Sequence, residues 1–183
     1  MIDTSAMVKK GCKGDATVLL PTVMAAVPLI LDRIHKAIRE KVDQKGPRFR
    51  NFFDWAFDYR LESLRQGEEA PIMDFIIFRK MKAALGGKIK LVLTGGAPVS
   101  SECHNFIRVA LGSKVLQGYG LTETTACATL MEVDDVISVG MVGPPNQGMQ
   151  IKLENWEEGN YRVTDKPRPR GEIIIGGNSI ADG

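Results

Sequence analysis

The sequence predicts an α/β fold: a parallel βαβ unit with packed helices, followed by a β-rich piece. Three observations carry this. Apolar residues recur at helical spacing between Pro28 and Leu85. Two short β-rich runs, Ile89–Thr94 and Lys114–Gln117, flank one further helical stretch. After Leu130 the helical period gives way to short apolar runs separated by turn residues. With 183 residues, 44% hydrophobic and 25% charged, the chain is globular in composition and fits one ordinary domain or a large piece of a bigger one.

Taken in order, the chain opens with a polar loop, Lys9–Asp15, where Gly11 and Gly14 sit among lysines. Ala16–Leu20 reads as a short buried strand. Pro28 suits the first turn of a helix, and Ile30, Ile34, Ile38 and Val42 give that helix one apolar stripe before Gly46-Pro47 closes it. A second helix begins near Arg48. It carries Phe49, Phe53, Ala56 and Leu64 on one side, with Arg60 and Glu62 pointing elsewhere and Gly67 as its stop. A third opens at Pro71 and carries Ile72, Phe75, Ile76 and Met81 inward, with Lys80 and Lys82 outside and Gly86-Gly87 ending it. Such aromatic and methionine stripes could line a lipid or cofactor tunnel, but helical spacing alone favours ordinary core.

Ile89–Thr94 is then a strand ending in Gly95-Gly96-Ala97-Pro98. Ser100 caps a helix that runs through Leu111 to Gly112, and Lys114–Gln117 is a second strand ending in Gly118-Tyr119-Gly120. Strand, helix, strand makes the two strands parallel with a right-handed crossover. Beyond, Met141–Pro145, Met149–Leu153, Tyr161–Val163 and Glu172–Ile175 read as short strands, with Glu157-Glu158-Gly159-Asn160 as a hairpin turn. A boundary falls near residues 131–140, between an α/β part (1–130) and a β-rich part (131–183). The basic segment Arg162–Arg170, broken by Pro167 and Pro169, reads as a solvated loop.

Several function classes are excluded. A formal charge of +2 supplies no net field for nucleic acid. Cys12, Cys103 and Cys127 lack the paired spacing of a zinc site or disulfide framework, and the only histidines are His35 and His104. The most apolar stretch, Ala16–Leu31, is interrupted by Pro21, Thr22 and Pro28, short of the ~20 apolar residues of a membrane span. Met-Ile-Asp-Thr-Ser does not open a signal peptide. Asp15, Asp32, Asp54, Asp58 and the Glu68-Glu69 pair find no second polar group nearby and read as surface charge. His104 and Cys103 fall on different faces of their helix, so His104 reads as a core or rim histidine rather than half of a dyad.

Ligands of open parallel sheets bind beyond the carboxyl ends of the strands, and here both ends finish in glycine. Glycine lets a ligand approach backbone without a Cβ in the way. Gly95, Gly96 and Ala97 could form one wall of a slot for a flat ring, with Tyr119 on the other; the same glycines would serve two tight strand exits with nothing bound. Tyr119-Gly120-Leu121-Thr122-Glu123 adds an aromatic face that can stack on a base. It also adds a hydroxyl for a phosphate oxygen, and a lone carboxylate of the kind that holds Mg²⁺ beside nucleotide phosphates. The bland alternative makes Tyr119 packing, Thr122 a helix cap and Glu123 a surface acid. The dinucleotide fingerprint fails, because Glu123 stands where Gly or Ala is needed and would repel a pyrophosphate; no Gly-x-x-x-x-Gly-Lys-Ser/Thr loop occurs.

Gly118-Tyr119-Gly120-Leu121-Thr122-Glu123-Thr124 resembles the Tyr-Gly-x-Thr-Glu signature of the adenylate-forming superfamily: acyl-CoA synthetases, adenylation domains and beetle luciferases. Leu93-Thr94-Gly95-Gly96-Ala97-Pro98-Val99-Ser100 is similar to its adenine-side loop. Pro21 to Pro28, Val142-Gly143-Pro144-Pro145 and Pro169-Arg170-Gly171-Glu172-Ile173 resemble the long-chain acyl-CoA synthetases. The resemblance implies that a fatty acid is activated by ATP to an acyl-adenylate and passed to coenzyme A. It implies that Gly95, Gly96 and Ala97 border the adenine, that Tyr119 stacks on it, and that Gln117 and Gly118 pass close to it or to the start of the acyl tunnel. Gly120 belongs to the same loop, Thr122 contacts the α-phosphate, and Glu123 holds Mg²⁺. It further implies a parent associated with a membrane, facing the cytosol, through a segment this chain does not hold.

The family's Thr/Ser/Gly-rich phosphate loop, its Thr-Gly-Asp ribose motif, its hinge and its catalytic lysine find no counterpart here. The chain is therefore expected to be an interior piece of a larger ligase and inactive alone, since one oxyanion donor is worth roughly 3–4 kcal/mol. Exposed sheet edges and apolar helix faces are expected too. Two other readings compete: an adenylate former acting on an aryl acid or amino acid, and a non-catalytic product that binds lipid or nucleotide.

Overall fold

The computed structural model describes residues 14–181 apart from 69, 134 and 136. Most of the expected Lys9–Asp15 loop, Cys12 and Glu69 lie outside the described residues. The elements run α1 (Asp15–Leu19), β1 (Val23–Ala25), α2 (Pro28–Asp43), α3 (Pro47–Arg65), a helical run of α4 (Pro71–Met73), a π-turn (Asp74–Phe78) and α5 (Arg79–Ala84), then β2 (Leu91–Thr94), α6 (Ser101–Leu111), β3 (Lys114–Tyr119), a 3₁₀ turn (Thr122–Thr124), β4 (Thr129–Leu130), β5 (Met149–Glu154) and β6 (Glu172–Gly177). No helix among the described residues is long and apolar enough to cross a membrane.

The mixed α/β architecture is as expected. One sheet has the order β1-β2-β3-β4, with β1, β2 and β3 parallel and β4 antiparallel to β3; β5 and β6 form a separate antiparallel ribbon. In α6 the local signals work together. The Ser100 hydroxyl accepts the Cys103 N–H at 3.1 Å, and Gly112 closes the helix at φ 52°. One helix face must then be buried, and Phe106, Ile107 and Val109 are, against α2, α3 and the sheet residues Val92 and Val115. Phe53 joins this core, its ring centroid 6.0 Å from Phe78 and 6.3 Å from Phe106.

Four expectations are corrected. Ala16–Leu20 is not a buried strand: α1 is a helix with no buried residue. The strand in this region is β1, placed by parallel pairing of Val23, Met24 and Ala25 with Leu91, Val92 and Leu93. Arg60 does not point away. It is buried on the face it shares with Phe53 and Ala56, because its guanidinium makes a paired contact with Asp74 (Nε–Oδ1 3.0 Å, Nη2–Oδ2 3.2 Å) and donates to the Glu68 carbonyl at 3.3 Å. That pairing fixes which side of the third helix faces inward. Ile77 and Phe78, three and four residues after Asp74, are buried, while Ile72, Phe75 and Ile76 are 68%, 66% and 56% exposed. The π-turn adds the residue that shifts the stripe. Finally, Met141–Pro145 is a loop that meets β4 through a Pro145–Thr129 bridge and the Leu130 N–H donated to the Pro144 carbonyl at 3.3 Å, and Tyr161 makes a single bridge to Trp156 across the expected turn. There Asn160 N–H returns to the Glu157 carbonyl at 3.0 Å.

His104 is fully buried between α6 and β3, a core histidine. Its Nε2 lies 2.9 Å from the Val115 carbonyl oxygen and so carries the proton. Arg108 Nη2, 3.3 Å from that nitrogen, donates instead to the Val115 and Asp135 carbonyls at 3.5 and 3.1 Å. Nδ1 is buried with no partner among the described residues. Burial, helped by the Arg108 guanidinium and opposed by the Val115 bond, pushes the imidazole down to about 4 from an ordinary 6.5. As pH falls, the unfolded chain therefore binds this proton first. The stability is complete above about pH 6.5 and is lost progressively towards about pH 4, about 3 kcal/mol in all. Urea midpoints between pH 7.5 and 4.5 should fall more steeply for the native sequence than for His104→Gln; equal slopes would remove the assignment.

Candidate functional site

The carboxyl ends of β1, β2 and β3 open on one cleft of about 480 Å³. The chain leaves β1 through Ala25, Ala26 and Val27, and leaves β2 through Gly95 and Gly96. Gly118 and Gly120 flank the end of β3. These exits touch: a Cβ on Gly95 would stand 3.1 Å from the Gly118 carbonyl oxygen. Gly118 is hemmed in as closely, its absent Cβ lying 2.8 Å from the Thr129 carbonyl oxygen. Small residues are thus required where two strand exits and a returning β4 converge. Ala126, Cys127 and Leu130 complete the wall, and no charged residue lines the cleft among the described residues.

Of the residues singled out in the sequence, Gly95, Gly96, Gly118 and Gly120 line this cleft. Ala97 is exposed in the β2–α6 loop, beyond the cleft's lining. Gln117 is buried within β3, in register with Thr94, and its Oε1 has no partner among the described residues. Tyr119 is half-buried at the end of β3, paired with Thr129 of β4. Thr122 and Glu123 lie on the exposed 3₁₀ turn that follows. The turn is held from within. Leu121 N–H donates to the Thr124 hydroxyl at 2.8 Å, that hydroxyl donates to the Leu121 carbonyl at 3.0 Å, and Ala126 N–H returns to the same carbonyl at 3.1 Å. Ala128 N–H then closes onto the Tyr119 carbonyl at 2.8 Å. Thr125 and Ala126 adopt left-handed φ of 49° and 82°, conformations that cost about 1–3 kcal/mol each and persist only when over-determined.

The turn is also fastened to the segment after β6. Ala181 N–H donates to the Glu123 carbonyl at 2.7 Å, and the Thr125 hydroxyl donates to the Ser179 carbonyl. Glu123's main chain is thereby fixed while its carboxylate stays exposed, without an ion pair or hydrogen bond among the described residues. No group of three His, Cys, Asp or Glu side chains converges among them, so an ion at Glu123 would complete its shell with water and with oxygens of a bound molecule. Sequence reasoning missed Ala25, Ala26 and Cys127 as lining; the small Ala25-Ala26 pair just before Pro28 was the available signal. The two described thiols differ. Cys103 is buried, and burial with a hydrogen bond to Asp32 pushes it up to about 12, whereas Cys127 is half-buried at the cleft.

Residues 3–183 match the family described as AMP-binding enzyme. The chain is 48% identical over 189 aligned residues to long chain acyl-CoA synthetase 8 of Arabidopsis thaliana, covering all of this chain and 26% of that protein. It is 38% identical to long chain acyl-CoA synthetase 1 of the same plant, over 93% of this chain and 26% of that one. It thus spans about a quarter of the length of the curated relatives it matches. Among solved structures, the adenylation domain of a carboxylate reductase from Mycobacterium chelonae superposes with a TM-score of 0.63 at 25% identity, over 91% of this chain and 22% of that one. The A domain of a carboxylic acid reductase from Segniliparus rugosus, in complex with AMP and a co-purified carboxylic acid, gives 0.58 at 25% identity, over 92% and 22%.

Proposed function

The chain belongs to the AMP-binding enzyme family, and from that premise we propose that it carries the nucleotide-binding part of an ATP-dependent long-chain fatty acid–CoA ligase. In that reaction a carboxylate oxygen attacks the α-phosphorus of ATP and the bond to pyrophosphate breaks. The thiol of coenzyme A then attacks the acyl carbon and AMP leaves. The reading assigns Gly95, Gly96 and Ala97 to the adenine edge, Tyr119 to its face, and Gln117 and Gly118 to the strand alongside. Gly120 turns the chain so that the Thr122 hydroxyl can donate to an α-phosphate oxygen. Glu123 suits Mg²⁺, which takes one or two protein carboxylates and completes its shell with water and phosphate oxygens. When bound, such an ion neutralises charge on the phosphates. The division near residues 131–140 is carried into this reading, with the β5–β6 ribbon as the second unit.

The observation that carries the proposal is the meeting of two glycine-ended strand exits at one cleft, directly before the internally bonded Thr122–Thr124 turn. The long-chain substrate class is supported by the similarity to the two plant synthetases, and the described residues lining the cleft carry no charge that would serve an amino-acid substrate as counter-ion. Calorimetric titration with a non-hydrolysable oleoyl-adenylate analogue should give saturable binding. Thr122→Val should weaken it about tenfold or more, the worth of one hydrogen bond to a charged oxygen. Binding only to an aryl or aminoacyl analogue would move the substrate class, and binding to none of them would remove the site.

A further inference from the structure

α2, the start of α3, the π-turn and α5 enclose a second cleft of about 360 Å³, within the size range of small-molecule sites. Ile38, Val42, Phe49 and Ile77 form its apolar floor, and Ile76, 56% exposed, stands at its mouth. Among the described residues, the charged ones that line it are Lys41, Lys45 and Lys80, all exposed, with no acidic residue among them. Lys45 Nζ sits 4.3 Å above the Phe49 ring centroid, so one ammonium is already held over the apolar floor. Val27 borders the first cleft and Val42 the second; fifteen residues of helical rise separate them by on the order of 20 Å. The two clefts are therefore distinct.

We propose that this second cleft binds a single-chain anionic amphiphile, a long-chain carboxylate, with its alkyl chain on the apolar floor and its head group among the three lysines. The shape and the charge each contribute. Burying alkyl surface on Ile38, Val42, Phe49 and Ile77 stabilises at about 25 cal/mol per Å². A rim bearing one sign of charge supplies the counter-ion that an uncharged lipid would not need. A concave cleft of this volume suits one chain rather than a bilayer plane. The inference does not rest on the ligase reading.

The test uses the whole chain and a hexadecanoic acid bearing a terminal diazirine, photolysed below its micellar concentration, with adducts mapped by peptide. Adducts are expected in peptides spanning residues 38–49 and 76–84. Their yield should fall at least about tenfold in Lys41→Glu/Lys45→Glu/Lys80→Glu and with the methyl ester of the probe. The three lysines are exposed, and circular dichroism verifies that the variant folds. Adducts around residues 93–130 report on the first cleft, so the two proposals fail separately. Labelling confined to residues 93–130, labelling of residues 38–49 and 76–84 unchanged in the triple variant or with the ester, or no labelling at all would each overturn the proposal.

Discussion

Replacing Gly120 by alanine is expected to cost about 3–5 kcal/mol of folding stability and, in the full-length ligase proposed above, to lower acyl-adenylate formation at least about 100-fold. The added Cβ would lie 2.1 Å from the Ala126 carbonyl oxygen, 2.6 Å from its carbon and 2.8 Å from the Cys127 Cα. All three are backbone atoms, so no side chain can swing aside. Relief would need Ala126 to move, yet it is tied to the Leu121 carbonyl at 3.1 Å, and Ala128 to Tyr119 at 2.8 Å. Forced overpacking costs about 1–3 kcal/mol, and each hydrogen bond given up adds about 1. The turn carrying Thr122 and Glu123 moves with the loop, and a misplacement of about 1 Å at reacting groups is worth about 100-fold. Gly176→Ala is the control, because a Cβ there meets nothing within 4 Å. Chemical denaturation and pyrophosphate release measure the two effects. A Gly120→Ala protein as stable as Gly176→Ala would show that the loop relaxes freely, and the positioning argument would fail with it.

What could be read in the sequence was what short-range chemistry decides. The Ser100 cap, the Gly112 stop and the flanking β-rich runs each lie within a few residues of the structure they specify. The sequence could therefore declare α6 and its two strands. β1 could not be read this way: it is three residues long, between Pro21 and Pro28, and exists because Leu91–Leu93 pair with it from far along the chain. Ala16–Leu20 was misread because a five-residue run of apolar and β-branched side chains suits a strand or a turn of helix equally. The candidate site shows the same division. Glycines at strand ends were visible, because their role is local, and four of them meet at the cleft. The contribution of Ala25 and Ala26 depended on β1, and that of Cys127 on the return through β4, a strand only two residues long.

Arg60 is the case where a charged letter concealed a core position, and its removal is the second large effect expected. It stands where a helix with Phe53 and Ala56 inward wants an apolar residue, and its side chain is 8% exposed against 27% for Asp74. Two parallel N–H donors to the two carboxylate oxygens make the strong, orienting form of the contact. Arg60→Ala leaves the carboxylate half-buried and unpaired beside a void, a loss of about 3–5 kcal/mol. The pair as a whole need not add net stability, because desolvating both charges offsets much of their attraction. Arg60→Met/Asp74→Leu should therefore recover most of the loss, and the coupling in the double-mutant cycle should exceed about 2 kcal/mol. The double variant should also loosen the register of the third helical segment, since Asp74 is the tie that turns Ile77 and Phe78 inward and leaves Ile72, Phe75 and Ile76 outside. Faster amide exchange over residues 71–84 at near-native global stability is the expected signature. Unchanged exchange there would mean that packing of Phe78 on Phe53, not the ion pair, sets the face.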